Sequence, residues 1–295
     1  MKRTIILIMI ILLFVGLMGC ARDQEEAQIA ATTLPVYEFT LRLCEGTDLK
    51  VLRLVTDSVS CLHDYSLQTK QMRAIENAQM IVSSGAGLEA FLEDALTHAH
   101  NVIDASVNVP LKCYDNPHDH GHNKAHSHSH EHDPHIWLSP ANAKVMAENI
   151  FTGLTSEYPQ YTDAFQANLT RLNADLDALN TYAETKLQHL SCREIITFHD
   201  GFSYMADAFG LSILSAIEEE SGSEASSAEL ITLIKAIEVH DLKVVFTERN
   251  TGASAAEIIA AETGVQIHQL DMAMAGDSYF DAMYHNIDTL KEALE

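Results

Sequence analysis

Positively charged residues are scarce in this chain of 295 residues, which has 18 Lys and Arg against 42 Asp and Glu. The formal net charge is −24 with the histidines neutral. A surface this acidic would repel a phosphate backbone, so we do not expect nucleic acid as a partner. The same charge favours solubility and attracts cations, although charge alone does not define a function.

Cysteine is also infrequent, and none of the five cysteines lies in a C-x-x-C pair. This spacing argues against a zinc cluster held by cysteines. Beyond the N-terminal Cys20, four cysteines remain: Cys44, Cys61, Cys113 and Cys192. Export permits disulfides, and an even count fits two bonds, but free buried thiols fit equally well. The spacing does not give a pairing.

The hydrophobic run near the N-terminus is too short for an ordinary membrane span. It extends from Ile5 to Met18, roughly fourteen residues, where a span needs about twenty. A basic start at Lys2 and Arg3 precedes it, so we predict a secretory signal over residues 1–20. Its end, Leu-Met-Gly-Cys, resembles a bacterial lipobox and would make Cys20 the lipidated first residue of the mature protein. An ordinary signal or a signal anchor is the alternative. The polar residues 21–28 are predicted to be a tether.

The remaining sequence alternates short apolar runs with longer amphipathic ones, which is typical of βα units around a parallel sheet. The predicted strands are Gln28–Ala31, Lys50–Val55, Met80–Ser83, Asn101–Asp104, Glu194–Phe198, Leu211–Leu214, Lys243–Thr247 and Val265–Leu270. The predicted helices between them include Gln68–Asn77, Leu88–Ala99, Ser226–His240, Ala253–Glu262 and Tyr279–Leu294.

Two helical stretches separate the two groups of strands. The first runs from Pro140 to about Tyr158, and the second from Tyr161 to about Leu190. In the second, apolar residues recur every three or four positions, and a helix of thirty residues spans about 45 Å. We therefore predict an α/β fold with two parallel-sheet lobes, 29–158 and 191–295. One long rigid linker helix, 159–190, joins them. No internal sequence repeat supports a duplication.

Residues 114–132 interrupt this pattern with a low-complexity tract. The tract contains seven histidines among Asp, Asn, Gly, Ser and Lys: His118, His120, His122, His126, His128, His130 and His132. Such a composition cannot form a core, so a loop is predicted. Its imidazoles are predicted to bind metal ions weakly, because no geometry is preformed and ordering the loop costs entropy. A solvated linker or a pH-responsive charge tract is the alternative.

Four further residues are candidate metal ligands. His63 follows the second predicted strand through a loop, His199 and Asp271 directly follow later strands, and His135 follows the histidine tract. Ligands of parallel sheets bind at the carboxyl ends of strands, so these side chains are expected to meet in the cleft between the lobes. Three imidazoles and one carboxylate suit a four-coordinate Zn²⁺ site, although imidazole also suits copper, nickel and iron.

Longer motifs surround these residues. They are His63-Asp64-Tyr65 with the segment 68–89, the segment 133–140 (DPHIWLSP), Phe198-His199-Asp200-Gly201-Phe202, and the βα segments 245–248 and 262–265. Together they resemble the metal-binding proteins of zinc and manganese ABC importers, in particular the ZnuA/AdcA-like zinc branch. The resemblance covers essentially the whole mature chain, and segment 133–140, with a His-rich insert just before it, is its most specific part. One departure is Cys61-Leu62 before His63, where the family usually has Asp-Pro.

The resemblance implies a site and a function. His63, His135 and His199 would be imidazole ligands, and Asp271 would be the fourth. Manganese members generally carry Glu where this chain has His199, so zinc is the implied cargo. The implied protein is not an enzyme. It is an extracytoplasmic lipoprotein, anchored to the bacterial cell membrane through Cys20, which delivers zinc to the membrane permease of an ABC importer. We expect a monomer.

Several alternatives stay open from the residues. Water, Glu218, Glu219, Glu220 or Glu248 can replace Asp271 as fourth ligand, and Glu248 and Asp200 can instead orient the imidazoles. The same fold can carry Mn²⁺, Ni²⁺ or Fe²⁺. A secreted zinc hydrolase would also use three histidines and an open fourth position, but no H-E-x-x-H motif is present.

Overall fold

The computed structural model describes residues 27–56, 62, 65–97, 99, 101–113, 132–216, 226–249 and 254–295. Several sequence predictions therefore lie outside the described residues: the signal and Cys20, Cys61, His63, the triplet 218–220, and the tract histidines His118, His120, His122, His126, His128 and His130. Within the described residues, no helix is both long enough and apolar enough to cross a membrane.

The first half of the chain forms a parallel four-stranded sheet. Its strands are β1 (Ile29–Ala31), β2 (Val51–Arg53), β3 (Met80–Ser83) and β4 (Val102–Asp104), in the order β2-β1-β3-β4. Every residue of β1 and β3 is buried, because helices cover both faces of the sheet. Because both faces of these two central strands are buried, their sequences are continuous apolar runs rather than alternating ones.

The second half repeats this topology. Its strands are β5 (Glu194–Thr197), β6 (Ser212–Ala216), β7 (Val244–Glu248) and β8 (Gln266–Leu270), in the order β6-β5-β7-β8. In both sheets the second strand of the half lies outside the first, and the third and fourth follow on the other side. The prediction of two parallel α/β lobes is confirmed, and the lobes share one strand order.

The helices of the first half differ in part from the predicted ones. They are α1 (Leu34–Leu43), α2 (Thr69–Asn77), α3 (Glu93–Leu96) and α4 (Pro140–Glu157), with 3-10 turns at Ala90–Leu92 and Ile136–Leu138. The helix α1 was not predicted, although Pro35 in its first turn and the buried Val36, Phe39 and Leu43 on one face are ordinary helix signals. The predicted helix Leu88–Ala99 was too long, since its segment forms a 3-10 turn followed by the four residues of α3.

A long helix links the lobes. This helix, α5 (Thr162–Leu187), has 26 residues and follows a 3-10 turn at Pro159–Tyr161. Its length is about 39 Å. The predicted apolar stripe is buried along the helix, at Phe165, Leu169, Leu172, Leu176, Leu179, Ala183 and Leu187. Because α5 packs against α4, α1 and the last helix, α9 (Tyr279–Leu294), its stripe faces elements of both halves.

One hydrophobic core extends through both halves. It includes Phe39 of α1, Trp137, Leu172 of α5 and Tyr279 of α9, all of them fully buried. The outer faces of the sheets have smaller cores of their own, covered in the second half by α7 (Ser227–His240) and α8 (Ser254–Thr263). The short helix α6 (Ser203–Phe209) follows β5 and lies next to the central core.

Candidate metal centre

Three polar residues lie at the carboxyl ends of neighbouring strands in the second sheet. His199 comes two residues after β5, Glu248 is the last residue of β7, and Asp271 directly follows β8. These strands are adjacent in the order β5-β7-β8. Parallel strands present their carboxyl ends at one edge of a sheet, so the fold gathers the three side chains there.

His135 reaches the same place from the first half of the chain. It precedes the 3-10 turn Ile136–Leu138, whose Trp137 is completely buried. The Trp137 indole Nε1 donates a hydrogen bond to the carbonyl of Met272 at 2.8 Å, and the Tyr279 hydroxyl donates to the carbonyl of Trp137 at 2.8 Å. Both partners belong to the second half, so these bonds hold the segment that carries His135 against the second lobe.

The two imidazoles meet between the lobes. The ring centroids of His135 and His199 are 5.2 Å apart, and the ring planes are nearly perpendicular at 85°. Their side chains are 3% and 16% exposed. Two of the three histidines singled out from the sequence are therefore neighbours in space although 64 positions separate them in the chain.

Asp133 fixes the orientation of His135. Its Oδ1 lies 2.8 Å from Nδ1 of His135 and also accepts the backbone N–H of His135 at 2.9 Å. A carboxylate only accepts hydrogen bonds, so Nδ1 carries the proton and Nε2 is the nitrogen that can bind a metal. The other oxygen, Oδ2, accepts from the hydroxyl of Ser203 in α6. The sequence interpretation did not single out Asp133, although an Asp two positions before a candidate ligand is a usable signal.

Glu248 lies beside His199. Its Oε2 is 3.6 Å from Nδ1 of His199, and the carboxyl group is 2% exposed. Burial raises the pKa of Glu248 to about 9, and the nearby negative charge of Asp271 adds to the effect. At neutral pH Glu248 is therefore a neutral acid. Its position is the one expected of a group that orients the His199 ring rather than of a fourth charged ligand.

Asp271 is held by its own surroundings. Its Oδ1 accepts the backbone N–H of Ala273 at 2.8 Å, and its Oδ2 lies 3.3 Å from Nη1 of Arg249. Asn286, which is fully buried, donates to the Asp271 carbonyl and accepts the Asp271 backbone N–H, both at 2.7 Å. The backbone at Asp271 is thus fixed, and its carboxylate is 15% exposed.

Gly201 leaves room for the His199 ring. A Cβ built at this position would lie 2.6 Å from Cδ2 and 2.8 Å from Nε2 of His199, and 2.6 Å from the methyl carbon of Met272. Such distances are well inside van der Waals contact. A side chain at position 201 would therefore collide with the His199 ring, a constraint that the sequence interpretation did not identify.

The end of the histidine tract adjoins the site. Cys113 and His132 are partners in an antiparallel bridge, with Sγ of Cys113 3.5 Å from Nδ1 of His132. The neighbouring Lys112 accepts the backbone N–H of Asp133 at 2.9 Å and contacts Ser203 and Asp207 of α6. Of the four cysteines discussed above, the three that are described carry free thiols: Cys44 buried, Cys113 exposed and Cys192 half-buried.

The described residues supply only part of a set of metal ligands. Among them, no three His, Cys, Asp or Glu side chains converge closely enough to enclose an ion, and His63 lies outside the described part of the chain. Two adjacent imidazoles with a carboxylate at the same sheet edge are nevertheless the donor chemistry that Zn²⁺ uses in proteins. The pairing of His135 with Asp133 is also the usual support of a metal-binding imidazole.

The chain is similar in sequence to proteins named for metal binding, zinc binding or zinc uptake. A putative metal-binding protein of Treponema pallidum (strain Nichols) is 31% identical over 278 residues, covering 91% of this chain and 87% of that protein. The high-affinity zinc uptake system protein ZnuA of Bacillus subtilis (strain 168) is 28% identical over 283 residues, covering 92% and 88%. The zinc-binding protein AdcA of Streptococcus pyogenes serotype M3 is 29% identical over 290 residues, which make up only 56% of its length.

Solved structures and a family model agree with these relatives. A crystal structure of ZnuA has a TM-score of 0.76 and 27% identity, covering 90% of this chain and 99% of that one. A ZnuA deletion mutant with zinc bound has a TM-score of 0.75 and 27% identity, covering 91% and 98%. The family model for ZnuA, zinc-uptake complex component A, periplasmic, matches residues 29–293. The chain belongs to this ZnuA family.

Proposed function

We propose that this protein captures Zn²⁺ in the cleft between its lobes and delivers it to the permease of an ABC importer. The observation that carries the proposal is the pair formed by His135 and His199, whose rings come from opposite lobes and lie 5.2 Å apart. An ion bound by both rings would bridge the two halves. His63, from the first half, and Asp271 complete the proposed set of ligands.

Zinc is the cargo that this donor set fits best. Imidazole nitrogens are softer than the carboxylate and water oxygens preferred by Mn²⁺, and His199 supplies a nitrogen at the centre of the cleft. The names of the Bacillus and Streptococcus relatives refer to zinc uptake and zinc binding.

The proposed role is binding without catalysis. Family members are solute-binding components of uptake systems. A zinc hydrolase would need a carboxylate base in contact with a metal-bound water. The H-E-x-x-H motif that supplies such a base in zinc proteases is absent from the sequence. We assign Glu248, whose Oε2 lies 3.6 Å from Nδ1 of His199, to the support of that ring instead.

The remaining parts of the proposal concern the chain outside the described residues. We propose that Cys20 is lipidated and anchors an extracytoplasmic monomer to the cell membrane through the tether 21–28. The histidine tract would act as an accessory collector, which binds zinc weakly near the cleft. Its end at His132 lies three residues before His135, so an ion leaving the tract is already close to the site.

A stoichiometry and affinity measurement tests the proposal. Residues 21–295 are titrated with Zn²⁺ against a chromogenic chelator, together with a variant in which residues 114–131 are replaced by Asn-Gly. A two-residue turn suits this replacement because Cys113 and His132 are antiparallel partners. We expect one tight site in both proteins, and weaker sites only in the protein with the intact tract.

Single substitutions identify the ligands of the tight site. His135→Ala and His199→Ala are each expected to weaken it at least about a hundredfold, since each removes a direct ligand. His240→Ala is the matched control, because His240 belongs to the second half but pairs with Glu194 at 2.9 Å, away from the cleft. Loss of the tight site on removal of the tract, or its persistence in His199→Ala, would refute the assignment.

A further inference from the structure

Arg249 occupies the edge of the candidate metal centre. It directly follows β7, and its backbone N–H donates to the carbonyl of Leu270 at 2.8 Å, which places it beside the end of β8. Its Nη1 lies 3.3 Å from Oδ2 of Asp271. The Arg249 side chain is 52% exposed, whereas that of Asp271 is 15% exposed. The Arg249 guanidinium therefore reaches into the site from the solvent side.

The surroundings of Asp271 leave Oδ2 as the oxygen for a cation. Oδ1 already accepts the backbone N–H of Ala273, and the two hydrogen bonds to Asn286 prevent the backbone from turning. We take Oδ2, the atom that faces Arg249, as the oxygen that binds a metal ion, because Oδ1 would have to share its lone pairs with the Ala273 N–H. The ion and the guanidinium cannot both occupy this position, because their positive charges repel each other at contact distance.

We propose that Arg249 competes with the metal ion for Asp271 and thereby sets the affinity and release rate of the site. This inference rests on the proposed function. Without the metal, the guanidinium neutralises the carboxylate. When Zn²⁺ binds, Arg249 gives up Oδ2 and turns to solvent, which its exposure permits at little cost. The competition lowers the affinity, and the returning guanidinium speeds release, which a carrier that must unload its cargo requires.

The test compares five proteins. They are the wild type, Arg249→Gln, Arg249→Lys, Asp271→Asn and the double variant Arg249→Gln/Asp271→Asn. Zinc affinity is measured by chelator competition and the dissociation rate by stopped-flow capture of released Zn²⁺. The matched control is Lys243→Gln, which removes one positive charge at the opposite end of the same strand, β7. Thermal unfolding of the metal-free proteins checks that each variant folds.

We expect Arg249→Gln to tighten zinc binding and slow release by roughly two- to fivefold, the range of a partly exposed ion pair. Arg249→Lys and Lys243→Gln should stay close to the wild type. In the Asp271→Asn background, Arg249→Gln should have no further effect, since the contested carboxylate is gone.

Two outcomes would overturn the inference alone. One is tight zinc binding by the wild type with no gain in Arg249→Gln. The other is an equal gain in the Asp271→Asn background, which would indicate a general field effect rather than competition for one oxygen. If the wild type has no tight zinc site, the proposed function is refuted together with the inference.

Discussion

Oδ1 of Asp133 lies 2.8 Å from Nδ1 of His135, and both side chains are only 3% exposed. The contact holds the proton on Nδ1 and leaves Nε2 of the same ring as the nitrogen that can bind a metal ion. Asp133 also joins the two lobes, because its second oxygen accepts from Ser203 in α6. One carboxylate thus orients a candidate ligand and ties its segment to the helix that follows His199.

Asp133→Asn is expected to weaken zinc binding by roughly 10- to 100-fold, the usual effect of losing a carboxylate behind a metal-binding imidazole. The amide keeps the shape but removes the charge that supports the ring. Chelator competition measures the change. Ser203→Ala is the control, because it removes the partner of Oδ2 and leaves the contact with His135. An affinity loss in Ser203→Ala as large as that in Asp133→Asn would contradict a role through the ring.

Gly201→Ala is expected to weaken zinc binding about tenfold or more, because its methyl group would displace the His199 ring from the cleft. Gly210→Ala provides a contrast. Gly210 has a φ of 67°, and its nearest neighbour to a built Cβ is 3.4 Å away. That substitution should lower the free energy of unfolding by about 1 kcal/mol and leave zinc affinity unchanged. Thermal unfolding and zinc titration of both variants separate the two effects.

The stability of the metal-free protein should depend on pH through Glu248. The pKa of this carboxyl is about 9 in the folded protein against 4.5 for an ordinary Glu. Between these values the folded state binds more protons than the unfolded state, so the free energy of unfolding falls as pH rises. The contribution is fully present below about pH 4.5 and is lost as pH approaches about 9.

Glu248→Gln cannot ionise, so its stability should exceed that of the wild type increasingly from about pH 5 to about pH 8, by at most about 1.4 kcal/mol for each pH unit. Urea unfolding in the presence of a chelator measures the difference, and other titrating groups cancel between the two proteins. Parallel pH profiles for both proteins would show that Glu248 is ionised in the folded state.

Tryptophan emission should report metal binding. Trp137 is the only tryptophan of the sequence, is completely buried, and has its ring centroid 5.5 Å from that of His135. An ion on His135 changes the charge beside the indole, so emission is expected to change until one equivalent of Zn²⁺ has been added. His135→Ala should abolish this change. A response that needs several equivalents would assign the signal to the histidine tract instead.

The strands were the part of the fold most accessible from the sequence. All eight lie within about two residues of the predicted ranges, because buried parallel strands are short apolar runs between polar turns. The helices α1 and α6 were missed, the latter because its seven residues are too short to show a clear helical period. The extent of Leu88–Ala99 was misjudged since tertiary packing, rather than propensity, decides such short segments.

The residues of the candidate site could likewise be predicted only in part from the sequence. His135, His199 and Asp271 could be singled out because they stand in motifs or directly after strands. Arg249 could not, because its contact with Asp271 joins residues 22 positions apart and depends on the pairing of β7 with β8. Gly201 was equally inaccessible, since its importance lies in the space that the His199 ring occupies.

The shared core also governs how this protein can be recombined with its relatives. Phe39 and Trp137 of the first half pack in one interior with Leu172 of α5 and Tyr279 of the second half. Neither half therefore has a complete hydrophobic core of its own. A chimera that joins the first half of this chain to the second half of a relative must match side chains along the whole of α5 and α9, not only at the crossover point.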